Sequence, residues 1–359
     1  MNSQGNRSIK IVEVAGSFYE MGFQYGTVCP EIHKMLDINS EIFGGSEGAK
    51  AYAEKYIPMY LPPAEAYAPE IVEEMKGIAA GAKVDFKDIF FLNIAYEISP
   101  SLPMGCTSFA AAGETIGDGG VITGQNFDFL LMWEELLVLL KMRLEQGPDV
   151  IAVAPAGCLG LFGLNSAGIS LNLNLIRNRD SLSPAGGVPS HIVLGKTLLS
   201  ERISGAINAI ASAERKAAKN YLLASDQGDI VDLEVTMNDL DVHYPDEGIL
   251  THANHFKTER FKDADLAPVN FADSYIRAYR LAGLMKENRG NLSVDTMKRL
   301  LQDHNTYPSS ICRHPDPDAP LPLAKLMKTI LSIINCPRER KVYIALGNPC
   351  ENEYLEYQL

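Results

Sequence analysis

The sequence predicts an α+β fold in which antiparallel sheets carry helices on their outer faces. Helical periodicity dominates residues 17 to about 98, whereas short apolar runs separated by turns dominate the chain after Gly105. Within that second region the order is strands, then helices, then strands. This order disfavours the strict strand–helix alternation of a parallel sheet. A chain of 359 residues, 46% of them hydrophobic, is long enough to bury a sizeable core.

The segment before Gly105 contains three local helix signals. Ser17 is a candidate N-cap, with Glu20 at the capping-box position. The stretch from Glu65 to Ala82 has apolar residues at helical spacing, and Asp85 is a candidate cap for the short helix that follows. We therefore expect this part of the chain to be mainly helical.

The region after Gly105 opens and closes with predicted hairpins. Cys106–Ala112 and Val121–Asn126 flank a glycine-rich turn at 117–120, and Thr329–Ile334 precedes a turn and Lys341–Leu346. The remaining predicted strands are Leu136–Leu144, Val150–Ala154, Ile169–Leu175, Tyr221–Ser225 and Ile230–Val235. The predicted helices are His191–Glu201, Gly205–Ala218, Asp273–Lys286 and Ser293–Gln302.

Composition narrows the class of protein. The formal net charge of −13 disfavours a nucleic-acid partner, because phosphate backbones require basic surfaces. No uninterrupted apolar stretch reaches the length of a membrane span, and the first residues lack an apolar signal core. Six cysteines without a C-x-x-C pair are typical of reduced thiols. We expect a cytoplasmic protein with a small-molecule substrate, no nucleic-acid partner and no membrane partner.

Several common catalytic motifs are absent from the sequence. There is no phosphate-binding P-loop, no H-E-x-x-H zinc helix, no dinucleotide-binding G-x-G-x-x-G after the first strand and no G-x-S-x-G elbow. His252 and His255 have no acidic or cysteine partner at metal-binding spacing, so we expect both to be structural or to support neighbouring site residues. We accordingly predict no cofactor and no metal.

Cys106 is the most informative of the six cysteines. It follows Gly105 and opens a predicted strand, and a glycine allows backbone conformations that are closed to other residues. Attack of this thiol on its own Gly–Cys peptide bond would produce an N-to-S acyl shift. Hydrolysis would then leave Cys106 as a new N-terminus. Its α-amine, with an ordinary pKa of about 7.7–8.0, would serve as a general base.

The ordered motifs around this cysteine resemble those of a known family. Gly105-Cys-Thr-Ser, followed by Gly124-Gln-Asn-Phe-Asp128-Phe129, is similar to the isopenicillin N acyltransferase-like (acyl-CoA:6-aminopenicillanic acid acyltransferase) family of N-terminal nucleophile (Ntn) hydrolases. Further similar segments, in family order, are Gly16–Gly26, Gly163–Gly168, Gly187–His191, Thr251–His255, Tyr307–Arg313 and Gly347–Pro349.

The resemblance implies a four-layer αββα sandwich of two antiparallel sheets flanked by helices. It also implies self-cleavage between Gly105 and Cys106. Residues 1–105 would form a mainly helical small subunit and residues 106–359 the Ntn-hydrolase core, the two remaining together as one αββα domain and a heterodimer. Such an enzyme hydrolyses linear amides, or transfers their acyl groups, through a thioester on the cysteine.

The same resemblance assigns roles to individual residues. Cys106 corresponds to the nucleophile, Asp128 to the acid that orients the α-amine, and Asn254 to an oxyanion donor. Asn174 lies in a segment that supplies an oxyanion or nucleophile contact, with Asn172 as the competing choice of register.

Two further residues are expected beside the substrate. Arg313 corresponds to an arginine near the nucleophile, with a catalytic or substrate-binding role. Phe129 is expected in the core or in the wall of the substrate pocket. Gln125 stands where bile salt hydrolases and ceramidases carry arginine, which disfavours a bile-salt substrate.

Two alternatives stay open at this point. The chain can be an unprocessed or non-catalytic member of the same fold that binds a small molecule. It can also be a conventional Cys–His thiol enzyme that is never cleaved.

Overall fold

The computed structural model describes residues 7–99, 102–117, 119–179, 182, 186–319 and 321–359, which form two sheets flanked by helices. The strands are β1 (Lys10–Gly16), β2 (Gly105–Ala112), β3 (Val121–Leu130), β4 (Leu137–Leu144), β5 (Val150–Pro155), β6 (Phe162–Asn165), β7 (Ile169–Leu175), β8 (Lys219–Ser225), β9 (Ile230–Val235), β10 (Leu240–His243), β11 (Ile249–His252), β12 (Met327–Cys336), β13 (Lys341–Leu346) and β14 (Leu355–Gln358). The helices are α1 (Phe18–Val28), α2 (Glu31–Ile42), α3 (Gly45–Tyr67), α4 (Pro69–Ala82), α5 (Phe86–Ile98), α6 (Ser190–Leu198), α7 (Ile203–Ser212), α8 (Ala267–Asn270), α9 (Asp273–Glu287) and α10 (Val294–Leu300).

The two sheets pack face to face in the centre of the molecule. The eight-stranded sheet has the order β1-β4-β5-β6-β7-β8-β9-β10, and the six-stranded sheet has the order β11-β2-β3-β12-β13-β14. Strands β2 and β3 lie against β7 and β8. Helices α1, α6 and α7 cover the outer face of the eight-stranded sheet, and helices α9 and α10 cover the outer face of the six-stranded sheet. The predicted α+β class and its four-layer αββα arrangement are therefore confirmed.

The eight-stranded sheet departs from the antiparallel prediction at one edge. Strand β1 pairs with β4 in parallel, with Lys10 opposite Val138. Its alternation buries Val12 and Val14, as in a strand with one face on the core. The sequence before Gly105 predicts helices only, so this strand is a correction to that prediction. The N-terminal segment thus supplies one strand of the sandwich in addition to its helices.

Local signals in the sequence place several of these elements correctly. Both predicted hairpins form, as β2–β3 and β12–β13; Asp118 of the first turn lies outside the described residues. Ser17 caps α1 through the capping box with Glu20, and Asp85 caps α5. Among the helices of the described residues, none is long and apolar enough to cross a bilayer.

The pairing of β2 with β3 decides how the site is arranged. Gly105 lies opposite Asp128 and Thr107 opposite Asn126. Cross-strand partners share a face and successive residues alternate between faces. The Asn126 side chain donates to carbonyl groups of Leu301 and Ile311, so this face meets the α9–α10 layer. Cys106 therefore projects from the opposite face, toward the eight-stranded sheet.

Candidate active site

The thiol of Cys106 lies at a cavity between the two sheets and the N-terminal helices. The residue is buried, with 2% of its surface exposed. The cavity is lined by Asn93, Glu97, Met104, Cys106, Gln125, Phe127, Leu161, Phe162, Leu173, Ser190, His191 and Lys219. Apolar side chains thus form much of its wall, and a few polar groups converge on it, as in small-molecule sites generally.

The surroundings of Cys106 favour the protonated form of its thiol. Burial raises the pKa of this thiol well above its ordinary value, and the Asp128 carboxylate raises it further. Arg277 and a hydrogen bond from the backbone N–H of Leu175 lower the pKa, but they do not compensate for burial. Deprotonation therefore requires a base beside the sulfur.

The backbone of Cys106 is held on both sides of its Cα atom. Its N–H donates to Asn254 Oδ1 at 3.0 Å, and its carbonyl accepts from Arg277 at 2.8 Å. Arg277 also donates to Asn254 Oδ1 at 2.8 Å. Because two donors meet this atom, it must be the amide oxygen. The amide nitrogen of Asn254 donates to the Leu175 carbonyl at 2.9 Å. Asn254 thus directs its oxygen, and not its nitrogen, at residue 106.

Asp128 lies beside the peptide that self-cleavage would cut. A Cβ atom built on Gly105 would stand 3.1 Å from Asp128 Oδ2, so the carboxylate borders the Cα atom of Gly105. Thr329 Oγ1 donates to Asp128 Oδ1 at 2.7 Å, and Arg313 Nε donates to Asp128 Oδ2 at 3.4 Å. Burial raises the pKa of Asp128, while the guanidinium groups of Arg313 and Arg277 oppose that rise.

Asp128 is one end of a chain of alternating charges. Arg313 also pairs with Asp273, and Asp273 accepts from Arg277 at 2.7 Å. Although burial opposes it, the two arginines hold the pKa of Asp273 below its ordinary value. The charge chain Asp128–Arg313–Asp273–Arg277 therefore runs from Gly105 to the carbonyl group of Cys106.

The two asparagines of β7 lie deeper between the sheets. Asn174 Oδ1 accepts from Ser108 at 2.7 Å and from Asn220 at 3.1 Å. Asn172 Oδ1 accepts from Asn335 at 3.4 Å. Asn174 thus contacts Ser108, which is on the same strand face as Cys106, whereas Asn172 contacts a residue of β12. It is the backbone of the next residue, Leu175, that hydrogen-bonds the thiol.

Phe129 and Arg313 do not line the cavity beside Cys106. Phe129 is fully buried and packs edge-on against Trp133, with ring centroids 4.7 Å apart. The aromatic residue in the wall is its neighbour Phe127. Arg313 belongs to the charge chain on the other face of the strand pair.

Arg277 is a site residue that the sequence analysis missed. Its side chain is buried and donates to Thr107 Oγ1 at 2.7 Å, in addition to its bonds to Cys106 and Asn254. The one signal in the sequence was the i, i+4 spacing of Asp273 and Arg277 on a predicted helix, which is usual for a surface pair.

Lys219 and Glu97 are two further charged residues that the sequence analysis did not single out. Both line the cavity beside Cys106. Burial lowers the pKa of Lys219 to about 8, against the opposing effect of Glu97. Burial raises the pKa of Glu97, and Lys219 opposes that shift. The signal in the sequence for Lys219 as a site residue is its position at the start of an apolar strand, β8.

The histidines are poorly suited to act as the base. His191 lines the cavity, but burial lowers its pKa to about 3, and its Nδ1 lies 3.0 Å from Asn93 Oδ1. His252 Nε2 lies 2.7 Å from Glu234 Oε1, and its Nδ1 lies 3.0 Å from the Ala253 carbonyl. His255 Nδ1 lies 2.7 Å from Ser274 Oγ. These contacts are those of structural histidines.

Comparisons with known proteins agree on one family. The family model described as acyl-coenzyme A:6-aminopenicillanic acid acyl-transferase matches residues 115–351. The acyl-coenzyme A:6-aminopenicillanic-acid-acyltransferase 40 kDa form of Emericella nidulans is 29% identical over 309 residues, which cover 84% of each chain.

Two solved structures are also similar. A mutant conjugated bile acid hydrolase from Clostridium perfringens has a TM-score of 0.45 at 12% identity, over 71% of this chain and 97% of that one. Penicillin V acylase from Agrobacterium tumefaciens has a TM-score of 0.42 at 11% identity, over 67% and 83%. The family model covers well over half of the sequence, and the chain therefore belongs to the acyl-coenzyme A:6-aminopenicillanic acid acyl-transferase family.

Proposed function

We propose that this chain is a self-processing cysteine amidohydrolase or acyltransferase, which cuts itself between Gly105 and Cys106 and then acts on linear amides through a Cys106 thioester. The supporting observation is the environment of that one peptide bond. The thiol faces a cavity, the Asp128 carboxylate borders Gly105, and Asn254 and Arg277 hold the N–H and the carbonyl of Cys106.

Self-processing follows from attack of the Cys106 sulfur on the carbonyl carbon of Gly105. The C–N bond breaks, the thiol proton passes to the departing nitrogen, and the Gly105 acyl group is left as a thioester on the sulfur. Water then hydrolyses this thioester. The products are a carboxylate on Gly105 and a free thiol and α-amine on Cys106.

The same groups fit the mature enzyme. Asn254 Oδ1, at 3.0 Å from the Cys106 nitrogen, is placed to accept from the new amine, and Asp128 attracts its protonated form. An amide nitrogen has two N–H donors, and the Leu175 carbonyl takes one from Asn254. We assign the second N–H of Asn254 to the oxyanion of the tetrahedral intermediate. We assign Asn174 a supporting role, because the next residue, Leu175, contacts the thiol through its backbone.

The α-amine of Cys106 is the base that the site needs. An amine with a pKa of about 7.7–8.0 is suited to accept the thiol proton near neutral pH. It is on the same residue as the sulfur, so no histidine is required. After acyl transfer to the sulfur, either water or a second amine accepts the acyl group.

The wall of the cavity indicates the acyl side of the substrate. Phe127, Phe162 and Leu173 offer apolar surface to an apolar acyl group. Gln125 Oε1 accepts from the Leu173 N–H at 2.8 Å, whereas its buried Nε2 has no hydrogen-bond partner among the described residues. A buried donor without a partner is costly, and a substrate carbonyl would satisfy it.

The first experiment is an intact-mass measurement on freshly purified protein. Self-processing predicts two chains, 1–105 and 106–359, whereas Cys106→Ala gives a single uncut chain. Cys336→Ala is the matched control, because it removes a buried thiol at the far end of β12 and should be cut normally. Cutting of Cys106→Ala at the same bond, or an uncut wild-type chain that still hydrolyses amides, would overturn the proposal. An uncut chain that binds ligands without turnover would instead indicate the binding-protein alternative.

The second experiment tests the base directly. Chain 106–359 is produced together with chain 1–105 in two forms, one with Cys106 as its free N-terminus and one with an additional residue before it. Only the first form should turn over amides, and equal activity would show that the base is a side chain. Because the relative from Emericella nidulans is named for acyl-coenzyme A and 6-aminopenicillanic acid, these two compounds form the acyl-transfer assay, with penicillin side-chain hydrolysis measured in parallel.

A cytosol-like compartment is part of the same proposal. No disulfide joins any of the six cysteines, all of which are among the described residues, as in proteins kept under reducing conditions.

A further inference from the structure

Four metal-ligating side chains meet on the surface next to Arg313. They are His304, after α10; Cys312 and His314, in the loop before β12; and Cys350, in the turn after β13. One ligand atom from each lies within 4.8 Å of the others. Cys312 is buried, His314 is half-buried, and His304 and Cys350 are exposed. No part of the proposed reaction uses this cluster.

Four of the six distances between ligand atoms in the cluster are close to those of a tetrahedral metal site. Zinc bound at about 2.3 Å by sulfur and about 2.0 Å by nitrogen places two sulfurs about 3.8 Å apart, sulfur and nitrogen about 3.5 Å apart and two nitrogens about 3.3 Å apart. The two sulfurs here are 3.5 Å apart and the two Nε2 atoms 3.1 Å apart. His314 Nε2 lies 3.4 Å from Cys350 Sγ and 3.8 Å from Cys312 Sγ. These four distances are thus within about 0.3 Å of the tetrahedral values, and the two remaining ones, from the exposed His304 to the sulfurs, are at most 4.8 Å.

Neighbouring groups contact two of the four ligands. Asn348 Nδ2 donates to Cys312 Sγ at 3.4 Å. The second ring nitrogen of His314 lies 3.8 Å from the Glu351 carboxylate. The N–H of Cys312 donates to the carbonyl of Asp303 at 3.1 Å, which closes the loop and places His304 beside the sulfur. Support of this kind for sulfur and imidazole ligands is typical of metal centres.

We propose that His304, Cys312, His314 and Cys350 bind one Zn²⁺ ion. Two thiolates with two imidazoles are a common structural zinc set, and four protein ligands leave no position for a substrate. Binding releases the two thiol protons. The expectation of no metal rested on His252 and His255, whereas the folded chain brings together a different set of residues.

The position of the site gives the ion a structural task. Arg313 stands between two of the ligands in sequence. Its N–H donates to Thr329 Oγ1 at 2.9 Å, and its carbonyl accepts from Asn348 Nδ2 at 2.7 Å. Zinc would fix this loop to the turn at Cys350 and so hold Arg313 against Asp128 and Asp273. The inference itself does not depend on the proposed reaction.

Elemental analysis of the full-length chain, produced in zinc-supplemented cells, tests the proposal. We expect one zinc per chain, retained in Cys106→Ala whether or not that chain is cut. His304→Ala and Cys350→Ser should both lose the zinc, and because these residues are exposed, either variant should fold. His33→Ala, at an exposed histidine of α2, is the control that should keep it. After zinc removal, Co²⁺ should give the visible bands of a tetrahedral ion and thiolate charge-transfer bands.

Three results would overturn the zinc site. One is a zinc-free wild-type chain that does not take up Zn²⁺ or Co²⁺ after reduction. Another is full zinc content in the double variant His304→Ala/Cys350→Ser. The third is an intact mass lower by two hydrogens with Cys312 and Cys350 joined in one peptide, because that would show a disulfide in place of a metal.

Discussion

Arg277 is not a reacting group in the proposed mechanism, but its loss should strongly affect the stability and the geometry of the site. It donates to Cys106, Thr107, Asn254 and Asp273 at 2.7–2.8 Å, and its side chain is buried. Methionine has a similar length and no charge, so Arg277→Met removes all four bonds.

The size of the effect follows from these partners. A hydrogen bond to a charged group contributes about 1.5–3 kcal/mol net, and removing one partner of a buried ion pair costs about 3–5 kcal/mol. Asp273 keeps Arg313 as a partner, so its carboxylate is not left alone. The individual values therefore do not add, and we expect Arg277→Met to lower the free energy of unfolding by about 3–5 kcal/mol.

The effect on self-processing should be separate and measurable. Without Arg277, the Cys106 carbonyl and Asn254 Oδ1 lose the group that fixes them relative to the sulfur. A misplacement that raises the barrier by about 1.4 kcal/mol slows cutting tenfold, and we expect at least that.

Two assays measure these effects. Urea unfolding is compared in the Cys106→Ala background, where every variant is a single uncut chain. The cutting rate is followed by intact mass after cell-free synthesis. Arg289→Met, which removes an exposed pair with Glu247, is the control and should change stability by less than about 1 kcal/mol. A loss below about 1 kcal/mol in Arg277→Met would refute the energetic reasoning. Cutting at the wild-type rate would refute the positioning role.

Three further predictions concern acid stability, the acid beside Gly105 and the substrate donor. Burial lowers the pKa of His191 from 6.5 to about 3. Between pH 6.5 and pH 3 the unfolded chain therefore binds a proton that the folded chain does not. The free energy of unfolding should fall by up to about 4–5 kcal/mol as the pH drops from 6.5 toward 3. His191→Gln should flatten that part of the pH profile of urea unfolding, and a profile as steep as that of the exposed control His33→Gln would contradict it. Asp128→Asn should slow cutting by about 10²-fold in the intact-mass time course, because the charge beside Gly105 is gone. Cutting at the wild-type rate would show that Asp128 has no role in this step. Gln125→Leu should raise KM about tenfold with normal cutting, as expected for one lost hydrogen bond to substrate, and an unchanged KM would exclude that bond.

The parts of the fold that the sequence predicts are those specified by neighbouring residues. The β2–β3 hairpin, the Ser17 capping box and the closing β12–β13 hairpin each depend on a short stretch of chain. The four layers were expected from the resemblance of ordered motifs, and not from periodicity. Strand β1 was missed because its partner β4 is about 130 residues away, so nothing near β1 in sequence indicates the pairing.

The residues of the candidate site also divide into those that local motifs indicate and those that only long-range packing brings together. Cys106 and Asp128 lie in recognisable motifs, and their strands pair locally. Arg277 reaches Cys106 across 171 residues, and Lys219 is a cavity residue only because β8 packs against β2. Burial of a charge is a property of the assembled sandwich, and the sequence around an arginine or lysine does not record it.

Because side chains alternate along β2 and β3, the residues that line the cavity and the residues beside Gly105 lie on opposite faces of this strand pair. The face with Cys106, Gln125 and Phe127 looks onto the cavity, and the face with Gly105 and Asp128 looks onto the arginine-bearing helix layer. Under the proposed function, we therefore expect substitutions on the cavity face, other than at Cys106, to alter the range of accepted acyl groups while leaving self-cleavage intact. Gln125→Leu and Arg277→Met change residues with no hydrogen-bond partner in common, so their effects on stability should combine additively. Under the proposed function, the substrate range can therefore change in evolution without changes in the residues that support self-cleavage.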